Sequence, residues 1–168
     1  MTTGQGSAAE MPEGRAQALA AAEARCLRAG AQLTELRRQV LALVLEAEQP
    51  LGAYALLDKL KAQRPGAAPP TVYRALDFLL EHGLIHKVER LNAFVGCAEA
   101  THDHGRAHDH PHQFLICGDC GATVEISDTA VAHALADAAA RVGFRVGNAT
   151  VEVEGRCAAC TAQVPERA

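Results

Sequence analysis

The chain has 168 residues, 49% of them hydrophobic, with a formal net charge of −4. That length suits one ordinary domain or two small ones, and the alanine-rich apolar content keeps each core modest. No run of about eighteen apolar residues exists and Met1–Gly14 is polar, so neither a membrane span nor a secretory signal is expected, and a cytoplasmic protein is. The negative balance argues against a nucleic-acid partner until it is divided. Residues 1–90 carry 11 Lys and Arg against 10 Asp and Glu, whereas residues 91–168 carry 5 against 10, so any DNA contact belongs to the first half.

Residues 1–14 read as a disordered leader. RAQALAAAEARCLRAG favours helix and closes on Gly30, a C-terminal capping residue, with Cys26 read as buried. Thr34 is a candidate N-cap for LRRQVLALVLEAE, a helix ended by Pro50, and AYALLDKLKAQ makes a third, stopped by Pro65 and Gly66.

The next helix, PPTVYRALDFLLEHG, has prolines at its entrance and Gly83 at its exit. Val72, Ala75, Leu76 and Leu79 recur at helical spacing as a buried stripe, and Tyr73, Arg74, Asp77 and Glu81 fall opposite. A guanidinium fork and a phenol on that outer face suit phosphates and base edges, although alone the helix reads as an ordinary amphipathic one. LIHKVERLNAFVGC then alternates on both sides of Leu91–Asn92 as a short hairpin. Short helices, an Arg/Tyr-faced helix and a hairpin form the order of a winged helix-turn-helix. With Leu91 and Asn92 at the centre of the turn, His86 faces Cys97 across the ladder.

After Cys97 the chain becomes polar and rich in histidine. Thr101 to Cys120 holds five histidines and two cysteines, more ligands than one tetrahedral ion uses. QFLIC and ATVEI read as strands around CGDCG, Asp128 caps TAVAHALADAAARVG, and Val146, Val151 and Val153 suggest strand before the turn GRCAAC. The fold class is α+β: a winged helix-turn-helix domain over 15–97, a His-rich hinge over 98–112 and a small α+β domain over 113–168.

Cys117-x-x-Cys120 and Cys157-x-x-Cys160 can complete a four-thiolate zinc site. Its closed shell leaves no position for substrate, which makes the metal structural, and it staples a thin core. A redox or disulfide pair is the competing reading, without the βα context it needs. His86 and Cys97, with a loop histidine and a carboxylate of the second domain, would complete another tetrahedron. Taken singly, His86 is a surface strand residue and Cys97 a small buried hydrophobe. Mixed S/N/O ligation favours zinc over iron or manganese and leaves cobalt and nickel open.

PPTVYRALDFLLEHGLIHKVE, FVGC, FLICGDCGATVE and GRCAACT resemble the zinc-sensing branch of the ferric-uptake-regulator family, and the likeness runs over about residues 15–162. The resemblance implies a homodimeric, zinc-activated repressor of palindromic operators upstream of zinc-uptake genes, not an enzyme, holding two zinc ions per chain and pairing through 113–168. It implies a structural zinc on Cys117, Cys120, Cys157 and Cys160, and a regulatory zinc on His86, Cys97, His110 and Glu125. It also gives DNA contacts at Tyr73, Arg74, Thr71 and Arg37. The chain departs from the pattern in reading Thr34-Glu35-Leu36-Arg37 where the family carries Thr-Pro-Gln-Arg. It also departs in a loop dense enough for His108 or His112 to replace His110. The further histidine-carboxylate site of iron-sensing relatives does not assemble, and His133, like His102, His104 and His108, reads as solvated. Two other functions compete: a zinc-buffering or storage protein, which needs no recognition helix, and a sensor of iron, manganese or nickel.

Overall fold

The computed structural model describes residues 11–97, 112–147 and 149–163. Four helices open the chain: α1 (Met11–Arg28), α2 (Glu35–Glu46), α3 (Ala53–Gln63) and α4 (Pro69–Glu81). Helix α1 starts at Met11 and so takes in residues 11–14 of the expected leader, since Pro12 is tolerated in a first helical turn. Thr34 occupies the N-cap of α2 in an extended conformation, but its hydroxyl makes no capping bond. That helix stops at Glu46, ahead of Pro50, and α3 matches its expected span. The α4 prolines sit in its first turn, and Gly83 follows it at φ +60, a left-handed conformation suited to glycine.

These helices share one core. Val40 and Leu41 of α2, Leu56 and Leu60 of α3, and Val72, Leu76 and Leu79 of α4 enclose Cys26 of α1, all buried. The α4 stripe points inward as its spacing requires, which leaves Tyr73, Arg74, Asp77 and Glu81 exposed.

The wing consists of β1 (Ile85–Val88) and β2 (Ala93–Gly96), antiparallel, with Leu51 bridging to Phe94. Its register differs from the expected one: His86 lies opposite Val95, and Cys97 bonds to Leu84, its N–H donating to that carbonyl at 3.2 Å. A two-residue turn centred on Leu91–Asn92 would need positive φ at Leu91, which a branched side chain resists. The chain instead forms a 3-10 turn over Glu89–Leu91, and Asn92 takes the single left-handed position at φ 45. The shift is two residues, so the pleat is unchanged and His86 and Cys97 remain on one face as diagonal neighbours.

The second domain comprises β3 (His112–Cys117), β4 (Thr123–Ile126), α5 (Thr129–Arg141), β5 (Thr150–Gly155) and a short α6 (Ala158–Ala162). Its strand order is β4-β3-β5, with β3 antiparallel to β4 and parallel to β5. His112 begins β3 and is not the end of a hinge; the rest of the expected hinge lies outside the described residues. Val146 precedes β5 without joining it, and GRCAAC is no simple turn, because Cys157 caps α6. Asp128 caps α5 as expected, accepting the Ala130 N–H at 2.8 Å.

The sheet has two unlike faces. His112, Phe114 and Ile116 project to one side with Glu125, Glu152 and Glu154, because Phe114 is the register partner of Glu125 and Glu152, and Ile116 of Glu154. This face meets the wing, where Val88, Phe114 and Ile116 form a second buried cluster with Val95 against it. On the other face Val124, Leu115 and Val153 form a row in register, 55%, 43% and 49% exposed. Among the described residues no helix is long and apolar enough to cross a membrane.

The buried stripe of α4 predicts a contrast. Leu79→Ala, at a fully buried position, should lower unfolding free energy by about 2–5 kcal/mol, and Tyr73→Ala by less than about 0.5 kcal/mol, in urea titrations of the same preparation.

Candidate metal centres and nucleic-acid interface

Parallel pairing of β3 with β5 sets Gly155 beside Cys117, and the two Cys-x-x-Cys knuckles meet there. All four sulfurs, of Cys117, Cys120, Cys157 and Cys160, lie within 4.8 Å of one another. The Cys117–Cys120 turn closes through Gly121 at φ +73, and an Arg156–Asp119 ion pair of 2.6 Å spans the knuckles. The Cys157 N–H donates to Cys117 Sγ at 3.4 Å. Together with the N–H groups of Cys120 and Asp119, that contact pulls the Cys117 thiol down to about 6, so it is a thiolate at neutral pH. Hydrogen bonding of Cys160 to Cys157 and Cys120 pushes its thiol up to about 12. The four thiols therefore titrate as one interacting group. All six cysteines are free thiols, so the disulfide alternative finds no support in the geometry. Four sulfurs at these separations suit a closed, tetrahedral site for a soft divalent ion.

The second constellation spans the two domains. His86 on β1, Cys97 just past β2 and Glu125 on β4 offer ligand atoms within 4.8 Å of one another. His86 Nε2 lies 3.4 Å from Glu125 Oε1, with side chains only 8% and 10% exposed. His112 Nδ1 lies 3.3 Å from the same oxygen, and its ring centroid is 3.7 Å from that of His86. His112 is outside the three-residue set but against it, held there by its place at the start of β3. His110, expected as the fourth ligand, lies outside the described residues, as do His102, His104 and His108. A thiol, an imidazole and a carboxylate form a donor set that fits zinc.

On α4, Tyr73 and Arg74 are exposed and Thr71 is half-buried. Arg37 is not extended into solvent: its guanidinium carbon lies 3.5 Å over the Phe78 ring, and Nη1 donates to the Gln32 carbonyl at 2.7 Å. Arg37 therefore braces the back of α4. His133 is exposed, as expected.

Several residues went unmarked by any motif. Tyr54, 71% exposed in the first turn of α3, is the most exposed aromatic side chain described, and its sequence signal is an aromatic on the polar side of that helix. Gln49 donates to the Cys120 carbonyl at 3.1 Å, and Glu152 accepts backbone N–H groups of the wing turn; neither has a local signature.

Comparison with known proteins agrees with this geometry. Residues 28–154 match the profile of the Ferric uptake regulator family. The zinc uptake regulation protein of Escherichia coli is 41% identical over 142 residues, covering 84% of this chain and 80% of its own. That of Mycobacterium tuberculosis is 30% identical over 132 residues, 79% of this chain and 96% of its own. A zinc uptake regulator complexed with zinc and DNA superposes with a TM-score of 0.80 at 40% identity, over 88% of this chain and 95% of that one. A holo regulator, XcZur, gives 0.75 at 42% identity, over 86% and 96%. A wing packed on a small sheet, four converging thiols and a matched span of this length place the chain in the ferric uptake regulator family.

Proposed function

We infer that this chain is a zinc-responsive transcriptional repressor whose zinc-loaded homodimer binds palindromic operators of zinc-uptake genes in the cytoplasm. The observation that carries the inference is the cluster of His86, Cys97 and Glu125, in which the wing supplies two ligands and the second domain a third. The similarity to zinc uptake regulators supports it. Each chain holds two ions: one on Cys117, Cys120, Cys157 and Cys160, the other on His86, Cys97 and Glu125 with His110 as the fourth donor. His112, 3.3 Å from Glu125, steadies that carboxylate as a neighbouring hydrogen-bond donor. Bound zinc supplies four directed bonds that reach both domains at once.

His86 and Cys97 then fix the wing, and with it α4, against the sheet. Tyr73, Arg74, Thr71 and Arg37 form the DNA-facing set, with Arg37 also bracing α4 through Phe78. The partner copy packs on the exposed row of Val124, Leu115 and Val153 and on α5, none of whose residues is buried. Two-fold pairing spaces the recognition helices to match half-sites about one helical turn apart. Zinc and DNA favour the same arrangement, so each raises affinity for the other by the same factor.

Fluorescence anisotropy on a zinc-uptake operator should show at least about tenfold tighter binding at saturating buffered zinc than in chelator. Cys97→Ser should remove that difference while the dimer and its cysteine-bound zinc persist. In the same assay Arg74→Ala should weaken binding by about tenfold or more, which a storage protein would not show. Equal affinity of the wild type with and without zinc overturns the proposal. Sedimentation of Leu135→Glu, which puts a charge on the exposed apolar side of α5, should show monomers where the wild type sediments as a dimer.

The cysteine cluster gives a pH signature. In metal-free protein one thiolate should appear in ultraviolet absorbance with a midpoint near 6 and be missing from Cys117→Ser. Its folded value lies below the ordinary 9.0, so its contribution to stability is full above about pH 9 and fades to nothing as pH falls through about 6.

A further inference from the structure

The N-terminal domain of helices and wing, the head, meets the second domain at another junction, in the wing turn. Glu89 and Arg90 open that turn, and their backbone N–H groups donate to Glu152 on β5, one to each carboxylate oxygen, at 2.6 and 3.0 Å. The Arg90 guanidinium pairs with Glu154, two residues along and on the same face of the sheet. Beneath them Val88 packs against Phe114, the register partner of Glu152. Amides of a 3-10 turn on a wing ordinarily face water; here one carboxylate accepts both.

We propose that Glu152, assisted by Glu154, is a metal-independent clasp that holds the wing on the sheet, and is thereby a positioning residue for the zinc response. The proposal rests on the zinc-responsive function inferred above. Clasp and metal ligands join the same two bodies, so both favour the closed arrangement. Whatever stabilises that arrangement raises zinc and operator affinity together. The Arg90–Glu154 pair, 56% and 51% exposed, contributes little, and the charge-assisted bonds to Glu152 carry the clasp. The opposite role would have Glu154 withhold Arg90 from phosphate. Likeness to a regulator complexed with zinc and DNA favours the tether, because the fold that carries the clasp is close to a DNA-bound one.

Two readouts test the clasp. Hydrogen exchange of the zinc-loaded protein should show faster exchange of the 85–96 segment in Glu152→Ala, with Glu152→Gln intermediate because a neutral carbonyl still accepts. Chelator competition should show regulatory zinc held about tenfold more weakly in Glu152→Ala, which alters no ligand, while the four-cysteine zinc is unchanged. Operator affinity should fall by a similar factor at limiting zinc and recover at saturation. Unchanged wing exchange together with zinc affinity within about twofold of wild type would sink the clasp. So would tighter zinc-free operator binding by Glu154→Gln, since the pair would then restrain the wing instead of tethering it. Should Glu152→Ala not fold, Glu152→Gln carries both measurements. A persistent zinc response in Cys97→Ser would refute the sensor assignment instead, and wing exchange would still report on the clasp.

Discussion

The contact between the wing and the glutamate-bearing face of the three-stranded sheet governs the rest of this structure. Glu125 is nearly buried there, beside two imidazoles and a thiol. A carboxylate removed from water costs several kcal/mol unless charge and hydrogen bonds compensate. Imidazole N–H groups can donate to it, and a divalent cation would supply balancing charge and directed bonds. On the reading proposed above, a cation bound there would turn the cost of burying this carboxylate into a contribution to closure.

Much of this was legible from short-range periodicity and spacing. The stripe of Val72, Ala75, Leu76 and Leu79 fixed both the core and the outer Tyr73–Arg74 face, since one helical period determines both. Paired Cys-x-x-Cys motifs foretold a four-sulfur cluster, because each pair needs only a tight turn. The wing register was off by two residues, since turn type depends on which residue accepts positive φ, and Asn92 alone does. His86 and Cys97 still shared a face, because only an odd slip would have separated them.

The sheet was harder to read for a physical reason. Thr-Val-Glu occurs in β4 and again in β5, an alternation that normally puts valine in a core and glutamate in water. Here the glutamates turn toward the DNA-binding domain, where Glu125 is nearly buried and two grip the wing, and Val124 and Val153 remain exposed on the single chain. The pattern gives the period but not which face meets which neighbour. That choice is made by a domain contact distant in sequence and, on the proposed pairing, by a subunit contact.

The number of junctions also matters. The head touches the second domain through Gln49 on the Cys120 carbonyl, through His86 and Cys97 beside Glu125, and through the wing turn on Glu152. One attachment leaves a body free to rotate in every direction, two leave a hinge axis, and a third removes it. In a two-fold dimer, residual rotation at the hinge is magnified at α4 and appears twice, once per half-site. Sequence-specific docking of both helices tolerates little of that error. The Gln49 bond ends on a carbonyl within a cysteine knuckle, so its position depends on the knuckle being set. On the reading proposed above, the cysteine cluster is thus one leg of the support on which the sensing site acts, since the carbonyl that Gln49 meets is part of the cysteine knuckle.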